Sequence, residues 1–103
     1  MSVAAVRTPI LRLSTGPLKG KAFEVGATLR VGRHPFNELS LGDPGLSRYH
    51  CWIMVKDGAP CVEDLASANG TFVNGERVRT RRTLKVGDVI RVGSTELVLS
   101  EAA

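Results

Sequence analysis

A chain of 103 residues holds one small domain, long enough to bury a single core without a disulfide or metal to hold it together. No apolar run approaches the ~20 residues of a membrane-spanning helix, and the start, Met1-Ser2-Val3-Ala4-Ala5-Val6-Arg7, lacks the basic head and long apolar segment of a secretory signal, so a cytoplasmic location is expected. Fourteen basic against ten acidic residues, a formal net charge of +4, favour an anionic partner without choosing among nucleic acid, acidic peptide, phosphopeptide and anionic lipid.

Eleven glycines and five prolines punctuate short apolar runs, and no stretch sustains a helical apolar period, so the chain reads as all-β. Residues 1–7 are expected to be a flexible end, residues 8–100 the folded domain and residues 101–103 a tail or the start of a linker to a longer protein. The first strand is placed at Pro9–Leu13. Lys21–Val25 alternates with Phe23 and Val25 on one face, and Thr28–Val31 follows. Gly32-Arg33-His34-Pro35-Phe36-Asn37 is then a loop and Glu38–Leu41 a short strand. After the loop Gly42–Tyr49 comes His50–Lys56, whose alternation points Cys51, Ile53 and Val55 into the core and leaves Trp52 and Met54 on the other face.

A turn at Asp57-Gly58-Ala59 leads into Pro60–Asp64, and Leu65–Gly70 forms the next loop. Thr71–Val73 and Glu76–Val78 flank Asn74-Gly75, the strongest local hairpin signal because both central residues of a type I′ turn need positive φ. Arg79–Arg82 is read as a basic connection. Thr83–Lys85, Val89–Val92 and Thr95–Leu99 complete about eleven short strands, the pattern of a β-sandwich whose loops carry function. Cys51 pointing inward and Cys61 outward are expected to remain unbridged.

Three stretches converge on one rim of such a sandwich: Gly32-Arg33, Ser47-Arg48-Tyr49-His50 and Ser67-Ala68-Asn69-Gly70-Thr71. A short hydroxyl followed by a guanidinium, on a loop introduced by Asp43-Pro44-Gly45, is a compact donor set for a tetrahedral oxyanion. Arg33 adds a second cation. Asn69 carries a donor and an acceptor together and can pair with an extended peptide backbone without reading its side chains.

In this order, and with Asp64-Leu65-Ala66-Ser67-Ala68-Asn69-Gly70-Thr71-Phe72-Val73-Asn74-Gly75 behind them, these motifs strongly resemble the forkhead-associated (FHA) domain family from about Leu29 to Leu99. The resemblance implies an eleven-stranded sandwich that binds phosphothreonine peptides, without catalysis or cofactor, as a signalling adaptor downstream of a Ser/Thr kinase. It implies Arg33 beside the phosphothreonine, Ser47 and Arg48 on the phosphate, Asn69 on the peptide main chain, and Gly32, His50 and Gly70 as shapers of the loops. Ala68 departs from the family's frequent Thr or Ser and removes one hydroxyl, Glu38 stands where Asp is usual, and Gly45 offers no side chain for reading the peptide.

Other readings of the same residues carry less weight. Ser47 and His50 do not make a nucleophile and base, since no third acid orients the histidine. His34, His50, Cys51 and Cys61 have no metal-ligand spacing. The run Arg77-Val78-Arg79-Thr80-Arg81-Arg82 supports a nucleic-acid alternative, against which stands the lack of an interleaved aromatic platform. A phosphate-independent assembly module, docking through the exposed side of Trp52 and Met54, is the other alternative.

Overall fold

The computed structural model describes residues 8–101, so the expected flexible segment 1–7 and the end of the expected tail, 102–103, lie outside the described residues. Eleven strands follow one another: β1 (Pro9–Leu13), β2 (Ala22–Glu24), β3 (Thr28–Gly32), β4 (Leu39–Ser40), β5 (Cys51–Lys56), β6 (Ala59–Asp64), β7 (Thr71–Val73), β8 (Glu76–Arg77), β9 (Arg81–Thr83), β10 (Val89–Val92) and β11 (Thr95–Glu101). One sheet runs β2-β1-β11-β10-β7-β8 and the other β4-β3-β5-β6-β9. All pairings are antiparallel except β3 with β4, where Val31 lies opposite Leu39.

Period-two alternation builds the core between the sheets. Leu11 and Leu13 pair across strands with Leu99 and Leu97, while Arg12 between them is exposed. The facing sheet contributes Leu29, Val31, Ile53 and Val62, and all eight belong to one buried apolar cluster. Burying such a side chain contributes roughly 1.5–3 kcal/mol, enough in sum to hold two layers without a covalent tie.

Two tight turns close hairpins at the end of the sandwich away from the candidate rim. Asn74 and Gly75 take φ of 51° and 83°, as the Asn-Gly signal requires. Asp57 and Gly58 do the same with 54° and 78°, and this turn is two residues long because Lys56 already pairs with Ala59. The expected three-residue turn is thereby corrected, and the register follows the shorter one. Cys51 sits opposite Asp64 and Cys61 opposite Met54, on different faces of the sheet, and both thiols are free. Cys61 lies on the outward face as expected but is only 3% exposed, because its short side chain is hemmed in by Met54 and Thr83 on the flanking strands.

The other correction concerns the basic run. Arg81 and Arg82 are not a connection but two of the three residues of β9, which precedes the expected Thr83–Lys85 strand. Edge strands accept charged residues, and here acids meet both: Arg81 pairs with Glu63 on the neighbouring β6 at 3.4 Å and Arg82 with Glu76 on β8 of the other sheet at 2.9 Å. Leu84, the apolar residue that suggested the later strand, is buried just beyond the end of β9. β11 likewise continues past Leu99 to Glu101, opposite Pro9.

Candidate functional site

The loops joining β3 to β4, β4 to β5 and β6 to β7 gather at one end of the sandwich, and hydrogen bonds from side chains to backbone join them. Gly32 makes the first approach possible. A Cβ there would overlap the Arg48 carbonyl and stand 2.9 Å from Asn37 Nδ2, so only glycine lets β3 end directly against the β4–β5 loop. Across that contact Arg33 N–H donates to the Ser47 carbonyl and His34 N–H to the Arg48 carbonyl, each at 3.1 Å. Asn37, nearly buried, uses one amide nitrogen for both the Arg48 and His34 carbonyls at 2.8 Å.

His50 forms the second link. Its ring is fully buried; the Ser47 N–H donates to Nδ1 at 3.1 Å, and Nε2 lies 2.9 Å from the Gly70 carbonyl. Because Nδ1 accepts, the proton must sit on Nε2 and is donated to Gly70, which fixes the tautomer. Both nitrogens are thus spent on backbone. His50 therefore cannot serve the Ser47 hydroxyl as a base, and its role is to clamp the loop of Ser47 onto the loop of Gly70.

Polar knots fix the remaining backbone. Asp64 accepts from the Ser67 hydroxyl at 2.6 Å and the Thr71 hydroxyl at 2.8 Å, closing the β6–β7 loop over Ala66, whose φ is 53°. Asp43 caps the Gly45 N–H with one oxygen and takes Ser94 N–H, Ser94 Oγ–H and Thr95 Oγ1–H on the other, all between 2.8 and 3.0 Å. Burial opposes the ionisation of Asp43, yet these hydrogen bonds outweigh it and hold the carboxyl below its ordinary range. Gly45 is needed here for space, since a Cβ would meet the Gly93 Cα at 2.9 Å. Next to this lattice, burial pushes the Cys51 thiol up to about 12 against a lesser opposing hydrogen bond from Thr71, so it is inert at neutral pH.

Four of the sequence-predicted residues keep polar groups turned to solvent on this frame. Arg33 is exposed, and its Nε–H is anchored on the Leu46 carbonyl at 2.6 Å, which leaves the outer guanidinium nitrogens available. Ser47 Oγ accepts the Ala68 N–H at 3.0 Å, so its own proton is free to be donated elsewhere. Arg48 is exposed, and among the described residues its guanidinium has no hydrogen bond or ion pair, although its carbonyl is pinned twice. Asn69 donates one amide hydrogen to the Gly45 carbonyl at 2.9 Å and keeps the other, together with its acceptor oxygen. The predicted loop shapers Gly32, His50 and Gly70 all lie beneath these four residues. The arrangement offers two cationic forks, a hydroxyl and an amide over an already hydrogen-bonded frame.

Sequence reasoning missed Asn37, Asp43 and the Asp64–Ser67–Thr71 knot as supports, and gave no place here to Arg77. A Cβ on Gly70, whose φ is +87°, would come within 2.9–3.3 Å of three guanidinium atoms of Arg77, so that side chain covers the Gly70 backbone. Glu38, one of the two departures from the family pattern, is engaged with Arg30 and not with the four. It holds Arg30 at 2.6 Å and accepts the Arg30 N–H at 2.8 Å, and these hydrogen bonds pull its carboxyl down to about 2.

Comparison with known proteins places this frame. The FHA domain family model matches residues 29–93. The "Oxoglutarate dehydrogenase inhibitor" of Corynebacterium efficiens is 37% identical over 90 residues, covering 86% of this chain and 63% of the relative. The "Glycogen accumulation regulator GarA" of Mycolicibacterium smegmatis is 36% identical over 90 residues, covering 86% of this chain and 56% of the relative. The chain therefore spans less than two thirds of the length of either. Among solved structures, one from a study of phosphothreonine-dependent FHA domain interactions superposes with a TM-score of 0.83 at 31% identity, covering 93% of this chain and 98% of that one. These relatives are named as an inhibitor and a regulator, and no helix among the described residues is long and apolar enough to cross a membrane.

Proposed function

The chain belongs to the FHA domain family, and from that premise we propose that it binds phosphothreonine peptides through Arg33, Ser47, Arg48 and Asn69, as a non-catalytic cytoplasmic adaptor downstream of a Ser/Thr kinase. The observation that carries this reading is the pairing of Ser47 with Arg48. The Ala68 N–H occupies a lone pair of the Ser47 hydroxyl and so turns its proton outward, beside a guanidinium with no hydrogen bond or ion pair among the described residues. A phosphate brings about −1.5 to −2 charges and three acceptor oxygens, which match that hydroxyl and two arginine forks. Asn69, with one N–H and its carbonyl oxygen uncommitted, takes the peptide main chain. Because the loops are already tied to one another, little ordering entropy opposes binding.

The nucleic-acid alternative loses support from the ion pairs of Arg81 and Arg82, which spend half of the basic run's exposed charge on Glu63 and Glu76. The assembly alternative retains Trp52, 38% exposed on the outer face of β5. Calorimetric titration with one peptide in phosphothreonine, threonine and aspartate forms separates these readings. Only the phosphothreonine form should bind tightly, because a planar carboxylate with one charge cannot present three tetrahedral oxygens. Equal affinity for the three forms would leave the assembly reading.

A further inference from the structure

Resting on the phosphopeptide reading above, we propose that Arg77 is a specificity-determining residue that selects an acidic side chain in the peptide next to the phosphothreonine. β8 pairs with β7 so that Arg77 stands opposite Phe72, and its guanidinium crosses back over Gly70, with Nε, Cζ and Nη2 all within 3.3 Å of where a Cβ on Gly70 would lie. Gly70 immediately follows Asn69, the residue that takes the peptide main chain. A peptide extended across Asn69 therefore passes the fork of Arg77 within a residue or two of the phosphate.

The charge at this position is uncommitted. The Arg77 guanidinium has no hydrogen bond or ion pair among the described residues, and its exposed neighbour Glu76 is engaged with Arg82 at 2.9 Å. On the other side of Phe72, Arg91 stacks its guanidinium 4.4 Å from the ring centroid, and Glu96 stands opposite Arg91 on β11. Of the two arginines flanking Phe72, Arg77 is thus the one nearer the site and the one without an opposite charge across the strand pair. The glycine beneath it removes the side chain that would otherwise lift the fork away from the backbone, so its planar donors stay level with the peptide path. A carboxylate matches such a fork in two parallel hydrogen bonds, whereas lysine or an apolar residue gains nothing there.

The test is a set of phosphothreonine peptides with neutral flanks, each carrying a single Glu at one position on either side of the phosphothreonine, titrated against the wild type, Arg77→Gln and Arg77→Glu. For the wild type, at least one Glu peptide should bind about three- to tenfold tighter than the neutral peptide, the range expected of an exposed charge pair reinforced by a bidentate fork. That ratio should fall to about one in Arg77→Gln and invert in Arg77→Glu, which should prefer a Lys at the same position. Reading the ratio, and not the affinity alone, separates charge selection from disturbance of the Gly70 loop, which would weaken every peptide equally. A wild-type preference that survives in Arg77→Gln, or phosphate-dependent binding with no preference among the peptides, overturns this inference while leaving the phosphopeptide reading intact. No binding of any phosphopeptide by the wild type overturns both.

Discussion

The two ends of the sandwich are built by different means. At the far end, strands reverse through two-residue turns whose geometry lies in the turn residues themselves, Asp57-Gly58 and Asn74-Gly75, with Asn74 bonded to nearby Asp88. At the loop end, long connections have no regular structure of their own and take their shape from buried or partly buried side chains: Asn37, Asp43, His50, Asp64 and Ser67. The far end can therefore be read residue by residue. The loop end exists only when distant segments meet, and in return it holds Ser47, Arg48 and Asn69 on a frame that does not need to be ordered by a ligand.

The comparison breaks first at His50. Replacing it with Ala leaves the Ser47 N–H and the Gly70 carbonyl buried without partners and opens a cavity, so we expect a loss of about 3–5 kcal/mol in denaturant unfolding, together with loss of phosphopeptide binding. Arg48→Ala should show the opposite pattern. The guanidinium has no hydrogen bond or ion pair to lose among the described residues, so the melting temperature should hold while affinity falls by about an order of magnitude or more in calorimetric titration. Ser47→Ala should cost less affinity than Arg48→Ala, since a neutral donor is lost.

At the far end, Gly75→Ala meets no neighbouring atom, so its cost is the positive φ alone, about 1–2 kcal/mol of stability by denaturation, with affinity unchanged.

Acid should separate binding from folding. The second ionisation of phosphothreonine lies near about 6, so affinity should decline as pH falls through that value while the domain stays folded. Unfolding follows lower. The carboxyls of Asp43 at the loop end, Asp88 at the far end and Glu38 on the β3–β4 edge all titrate below their ordinary values in the folded chain. Groups depressed in this way contribute stability above their unfolded pKa and lose it as pH falls through the folded one, for Glu38 from 4.5 to about 2, which a melting series across that range would follow. The smallest effect is expected from replacing Arg79, Arg81 and Arg82 together. Arg81 and Arg82 are each engaged by an acid, Glu63 and Glu76, and an exposed charge so paired contributes little beyond its partner, so phosphopeptide affinity should scarcely move.

What could be read in the sequence follows the same division. Alternation placed the core strands, and Asn74-Gly75 placed its turn, because both signals are local. The Asp57-Gly58 turn was present in the sequence, but the pairing of Lys56 with Ala59, which decides the register, depends on two strands meeting. β9 was misplaced because its own residues, Arg81, Arg82 and Thr83, carry no apolar alternation, and the strand exists only through its pairing with Cys61, Val62 and Glu63. The four residues proposed to face the ligand were legible from motif spacing. Their supports were less so: Asn37 reaches Arg48 eleven positions away and Asp43 reaches Thr95 fifty-two away, and no periodicity or turn rule marks such residues. Arg77 was hidden in a basic run whose members turn out to serve different places.

The most direct test of the account is an amide NMR titration of the whole chain with a phosphothreonine peptide. Shifts should concentrate on Arg33, Ser47, Arg48, Ala68, Asn69 and Gly70, leave Asp57-Gly58 and Asn74-Gly75 unmoved, and fail to appear with the unphosphorylated peptide. Shifts centred on Trp52 and Met54, or the same shifts with both peptides, would contradict it.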